Sequence, residues 1–251
     1  MPLHTADALI LRTYKLGEAD RIVVFLTADR GKRRGVARRA RRPRSAFSGA
    51  LEPMTWGRVA YFERERRELV RLQYVEPVCS PLAAGSAEAL AHVGYFAELI
   101  DEWAPEADPN EKLFRLGAAV VESLAADVPI ERLARYFEFW LLRLQGVYPP
   151  LSACSRCGGE LIGGACLVGG GTLACARCEP SGDGGRLSPA ALSFLGAART
   201  VAPAGLAEVE LPPAADRELA GAHHRLISTH LEKELKSLRV VRSLTRNPAG
   251  D

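Results

Sequence analysis

The hydrophobic period of the chain changes at Pro81, and that change constrains the fold more than any other feature. Before it, short β-branched and aromatic runs alternate with turns: residues 5–13 (TADALILRT), 21–27 (RIVVFLT), 32–39, 57–64 (GRVAYFER) and 69–78 (LVRLQYVEPV). Each reads as a strand. Ala28-Asp29-Arg30-Gly31 is a hairpin turn. Residues 65–68 form a charged turn, and Pro43 keeps residues 41–48 out of any central strand. In the third strand Val36 is expected to face inward. Five short strands in 80 residues, with no helix among them, fit a small closed barrel of the OB type.

After Pro81 apolar residues recur at helical spacing. Residues 86–103 place Leu90, Val93, Ala97 and Ile100 on one face. Asp108-Pro109-Asn110-Glu111 reads as a helix start with Asp108 as cap, followed by a stripe of Leu113, Leu116, Val120 and Leu124. Residues 130–145 carry apolar side chains nearly all round, which predicts a helix central to its bundle. A short helix is expected after Ser188-Pro189, a linker over 203–213, a last helix over 214–238, and a disordered tail from Asn247.

Within the helical part lie Cys154-Ser-Arg-Cys157 and Cys175-Ala-Arg-Cys178, with 17 residues between the pairs. Two Cys three apart can place both sulfurs on one metal, and a second such knuckle completes a tetrahedron. Gly158 supplies the unrestricted backbone a knuckle needs. A pair of redox dithiols is the competing reading, and it wants a βαβ context that this sequence lacks. Four protein thiolates leave no open position for water, so one structural zinc ion is expected, tying down a Gly-rich insert. Cys166 is a small buried side chain or a spare thiol, and Cys79 a buried structural residue.

Charge adds the functional hint. Residues 1–80 hold 17 Lys/Arg against 9 Asp/Glu, whereas the rest hold 16 against 21. Nine of the fifteen residues from Arg30 to Arg44 are basic and none is acidic. Such a run repels itself unless a polyanion screens it, and a phosphate backbone does so while releasing counterions. A solvated loop tip or a targeting signal are the alternatives. Lys32, Arg33, Arg34, Arg38, Arg39, Arg41, Arg42 and Arg44 are the candidate contacts. Tyr14, Phe47, Trp56 and Tyr61 are candidate stacking rings, although most strand aromatics belong to cores.

Other chemistry finds little support. The glycines at 163–164 and 169–171 are not followed by Lys-Ser/Thr, so they make no phosphate loop. His223, His224 and His230 read as helical surface or core residues. No nucleophile elbow and no spaced acidic set for a two-metal site is present. With no secretory leader and no apolar run of membrane-spanning length, the expected location is the cytoplasm, where these cysteines would not be structural disulfides.

The run ALILRTYKLGEADRIVVFLTADRGKRRGVARRARRPRS, the LEPM at 51–54 before Trp56, the cysteine module and the closing RSL at 242–244 together resemble the RecO family of bacterial recombination mediators. The family commonly has a Lys-Gly pair where this chain has Arg38-Arg39, and Phe where it has Met54. Some members lack the full cysteine set, which agrees with a structural metal.

The resemblance implies an α+β protein in three parts. These are an OB-fold DNA-binding domain over 1–80, a helical domain over 81–150 and 186–245, and a zinc-finger insert over 151–182. It further implies no enzymatic activity. The expected work is binding single- and double-stranded DNA, annealing complementary strands, and acting with RecR to load RecA onto DNA coated by SSB, whose C-terminal tail is a partner. The protein would be nucleoid-associated, with no membrane contact. A zinc-ribbon protein of transcription or translation, docking through its ribbon, is the alternative reading.

Overall fold

Five strands close into a barrel in the computed structural model, which describes residues 2–63, 68–83, 86–169, 171–180 and 185–246. The strands are β1 (Leu3–Leu16), β2 (Asp20–Thr27), β3 (Gly31–Ala37), β4 (Trp56–Phe62) and β5 (Leu69–Cys79). Their order around the barrel is β1-β2-β3-β5-β4, with β4 returning to β1. All pairs are antiparallel except β3 with β5. This is the OB-like barrel that the alternating runs predict. Its core holds Ala8, Ile10, Val23, Phe25, Ala37, Val59, Tyr61, Val70 and Leu72, capped by Phe47, Ala50 and Leu51 from the loop before β4.

One inward assignment is reversed. In β3 it is Gly35 and Ala37 that face the core, because a Cβ on Gly35 would stand 2.2 Å from Leu72 Cδ1. Val36 therefore points out and is half-buried. The charged turn expected over 65–68 lies largely outside the described residues, as does the tail from Asn247.

Two helices follow the barrel in the same unit, α1 (Ala87–Trp103) and α2 (Glu111–Ala125). Ser86 caps α1 by accepting the Ala89 N–H. The cap of α2 is Asn110, whose side chain accepts from Leu113, and not Asp108. The Asp108 backbone instead packs on Gly31, where a Cβ would meet its carbonyl oxygen at 2.2 Å.

The chain divides into two units, residues 1–127 with 235–251, and residues 128–234. The second unit contains α3 (Ile130–Leu144), a small sheet of β6 (Ala165–Val168), β7 (Thr172–Cys175) and β8 (Arg186–Leu187), then α4 (Pro189–Ala198) and α5 (Pro213–Leu231). As its composition predicts, α3 buries Leu133, Tyr136, Phe137, Phe139 and Leu141, and packs against α4 and α5. Residues 203–208 form a 3-10 turn inside the expected linker.

The last helix is interrupted. Glu232 takes a left-handed conformation (φ 51°) that ends α5, and α6 (Lys236–Arg246) begins afresh. It packs on α1 of the barrel unit, where the Glu98 carboxylate accepts the N–H groups of Lys236 and Ser237 and the Ser237 hydroxyl. No helix among the described residues is long and apolar enough to cross a membrane.

Candidate nucleic-acid interface and metal centre

The basic run divides where β3 ends. Within β3, Lys32 is buried: its Nζ donates to the Asp101 carbonyl at 2.5 Å and stands 3.4 Å from the Asp101 carboxylate and 3.8 Å from Glu106. Its backbone bonds to Pro105 and Ala107. Arg33 pairs with Glu63 at 3.2 Å and Arg34 with Glu106 at 3.0 Å. Lys32 thus ties β3 to α1 and Arg33 ties it to the end of β4, while the Arg34–Glu106 pair lies at the surface.

From Arg38 onward the arrangement differs. The loop is stapled to the β1–β2 hairpin tip through its backbone: Arg39 N–H to Asp20 Oδ1 at 2.7 Å, Arg41 N–H to the Ala19 carbonyl at 2.9 Å. The Arg41 guanidinium donates to the Gly17 carbonyl at 2.9 Å. The side chains of Arg38, Arg39, Arg41, Arg42 and Arg44 are all exposed. No acid among the described residues forms an ion pair with any of the five. Arg38, Arg39, Arg42 and Arg44 line an open concavity of about 600 Å³ with Pro43, Ser45 and Ala46.

Arg39 and Arg44 adopt φ of 56° and 58°, a region that non-glycine residues enter only at some cost. Position 39 is therefore one that a glycine would occupy without strain. Met54, also at positive φ, is fully buried.

The sequence had no way to single out Gly17, Ala19 and Asp20 as the groups that shape this loop. Two of them act through backbone carbonyls, for which side-chain patterning carries no signal. Of the candidate rings, Tyr61 and Phe47 are core residues, Trp56 is half-buried and Tyr14 is exposed.

In the second unit the four knuckle cysteines converge, with all four Sγ atoms within 4.8 Å of one another. Each pair sits in a tight turn: Gly158 N–H donates to the Cys154 carbonyl at 2.9 Å with Gly158 at φ 70°, and Cys178 N–H to that of Cys175 at 3.0 Å. Pairing of Ala165 with Cys175 across β6 and β7 fixes the second knuckle on the sheet. Arg156 bridges the knuckles, reaching the Cys178 carbonyl and Glu179.

The donor set suits a tetrahedral ion. Zinc–sulfur bonds of about 2.3 Å put tetrahedral sulfurs about 3.8 Å apart, and Cys157 and Cys175 stand 3.8 Å apart. Backbone N–H groups of Cys175 and Cys157 hold the Cys154 thiol down to about 6. Hydrogen bonds to Cys157 and Cys175 push Cys178 up to about 12. Four thiolates at this spacing need a cation, and four thiol ligands could hold one.

Cys166 is buried outside the cluster, its sulfur 3.5 Å from the Glu179 carbonyl. Cys79 is half-buried, and burial pushes its thiol up.

His223 is fully buried between Glu138 and Tyr148, at 2.9 Å from each. Arg135 pairs with the same Glu138 carboxylate at 3.0 Å. Burial holds the imidazole below its ordinary value. The neutral ring thus donates from Nδ1 to Glu138 and accepts the Tyr148 hydroxyl at Nε2, which satisfies polar groups that packing has removed from water.

Comparison with known proteins covers nearly the whole chain. The model for the N terminal part of recombination protein O matches residues 1–81, and that for its C terminal part residues 85–239. The DNA repair protein RecO of Pelobacter propionicus is 34% identical over 242 residues, 95% of this chain and 96% of the relative. That of Anaeromyxobacter sp. (strain K) is 36% identical over 237 residues, 92% of each. The RecO of Koribacter versatilis is 43% identical over 161 residues, 63% of this chain and 65% of that protein. With both halves matched in order and two relatives aligned over nearly their full length, the chain belongs to the RecO family.

Proposed function

We propose that this chain is a cytoplasmic, nucleoid-associated, non-enzymatic DNA-binding mediator of recombination in DNA repair. It binds single- and double-stranded DNA, anneals complementary strands, and acts with RecR to load RecA onto SSB-coated DNA, with the SSB C-terminal tail as a further contact. The observation that carries the DNA-binding part is the division of the basic run. Five exposed arginines stand on one stapled loop, beside three cations already committed to carboxylates. Phosphate contacts from such a loop position the nucleic acid without reading sequence. Annealing requires two polyanions to approach each other, and a dense cationic loop lowers that barrier without making or breaking a bond. The partner proteins rest on family membership.

The four cysteines would hold one structural zinc ion, which supplies cross-linking of a ribbon too short for a core of its own. Replacing zinc by cobalt should give the spectrum of a tetrahedral four-thiolate site with no bound water.

The DNA reading is tested by a salt series on labelled single-stranded DNA with wild type and Arg38→Glu/Arg39→Glu. Five phosphate contacts predict a slope of log affinity on log salt of about −3.5, hence a loss of about 10² between 50 and 200 mM. The double variant should bind every sequence more weakly, with a shallower slope. Unchanged affinity and slope would remove the loop from the interface.

A further inference from the structure

The hairpin that staples the arginine loop also carries an outward aromatic ring, for a reason visible only in the strand register. In β1, Ala8 and Ile10 face the core. Strict alternation would send Arg12 and Tyr14 inward after them. A bulge between Ile10 and Arg12 intervenes, so that Arg12 pairs with Val24 and Tyr14 with Ile22. Their neighbours Val23 and Phe25 are the residues of β2 that face the core. The extra residue, Leu11, thus turns the remainder of β1 over and re-aims Tyr14 to the outside. Its side chain is 46% exposed, whereas Phe47 and Tyr61 are buried.

The outward row continues across the barrel wall. Ile22 pairs with Val36 in β3, and Val36 with Arg71 in β5. The adjacent row runs from Arg12 past Val24 to Arg34. Tyr14, Ile22 and Val36 therefore form a narrow apolar strip bordered by Arg12, Arg34 and Arg71. Val36 is two residues before Arg38, and the tip beyond Tyr14 supplies the carbonyls of Gly17 and Ala19 that hold Arg41. Arg12 donates to the Tyr14 hydroxyl at 3.2 Å and stands 3.4 Å from Asp101, which anchors one end of the ring while much of it stays open.

We propose that Tyr14 is the stacking platform for a base of single-stranded DNA whose phosphates lie on the Arg38–Arg44 loop. An exposed ring set in an apolar strip that ends two residues from a loop of exposed arginines matches a flexible polyanion with unpaired base faces. It does not match a duplex, whose bases are already stacked. Tyr14 then supplies preference for single strands, while the loop supplies affinity for either form. This inference rests on the DNA-binding reading above.

The test compares Tyr14→Ala, Tyr14→Phe and Tyr14→Trp on a fluorescein-labelled oligo(dT) 20-mer and on a duplex of the same length. Tyr14→Ala should lose about tenfold on the single strand, the scale of one base–ring stack, and less than twofold on the duplex. Tyr14→Phe should bind as wild type does. Tyr14→Trp should show emission quenched by the single strand and not by the duplex. Equal losses on both forms, no loss on either, or an unquenched Tyr14→Trp would each overturn the proposal. Normal binding by Arg38→Glu/Arg39→Glu would sink the loop reading itself. Loss of both DNA forms in that variant, with unaltered single-strand binding by Tyr14→Ala, would sink the stacking step alone.

Discussion

Lys32, Arg33 and Arg34 lie in the same basic run as Arg38, Arg39, Arg41, Arg42 and Arg44, yet the two groups meet opposite surroundings. The first three lie on a strand whose backbone is paired and whose side chains reach Asp101, Glu106 and Glu63. The last five lie on a loop whose backbone is pinned and whose side chains are exposed, none of them paired with an acid among the described residues. Density of charge along a sequence is thus a poor guide to charge on offer. A cation within reach of a carboxylate in its own fold acts as a brace. One without such a neighbour is available to an incoming polyanion.

The largest effect expected from this contrast is on stability. Lys32→Ala leaves the Asp101 carboxylate, only 12% exposed, with Arg12 as its remaining partner. It should cost about 3 kcal/mol in denaturant unfolding, the low end for breaking a buried pair, with the DNA salt slope unchanged. A lowered slope at intact stability would erase the distinction between the two groups. Conversely, Arg38→Glu/Arg39→Glu should alter unfolding by less than about 0.5 kcal/mol, as exposed substitutions do.

A subtler variant acts on both properties in opposite directions. Arg39→Gly relieves the left-handed backbone and should stabilise the protein by about 0.5–1 kcal/mol. The same change removes one phosphate contact, about 0.7 from the single-strand salt slope. Loss of stability instead would mean that the Arg39 side chain has a structural partner.

The smallest effect concerns a carboxylate that, like Asp101, is fully employed. Burial alone would raise Glu98, but the hydroxyl and N–H of Ser237 and the N–H of Lys236 outweigh it and hold the group below its ordinary 4.5. A depressed carboxylate contributes its stability above the unfolded value and loses it as pH falls through the lower folded one. Wild type should therefore melt above Glu98→Gln at neutral pH, and the two should converge below pH 4.5. A gap that persists in acid would assign the difference to packing.

Much of this was legible in the residues. The five strands follow from alternation, and the four-cysteine cluster from its spacing alone, because both signals are local. The departures have non-local causes. Val36 takes its side because Gly35 packs against the Leu72 side chain of β5, a contact that leaves composition unchanged. The cap of α2 moved to Asn110 because Asp108 is held against Gly31, a contact across more than seventy residues. The break at Glu232 falls in a stretch of good helix formers, and α6 beyond it packs on α1, far away in the chain. The engagement of Lys32 was hidden for the same reason, since its partner lies 69 residues on.

The position of α6 has a consequence for biosynthesis. Glu98 emerges from the ribosome 138 residues ahead of Lys236, its hydrogen-bond partner. At about 5–20 residues per second, the nascent barrel unit waits several seconds or more for its final piece. A stop placed between Glu234 and Lys236 would therefore injure the first-made part of the protein, leaving the more recently translated one whole.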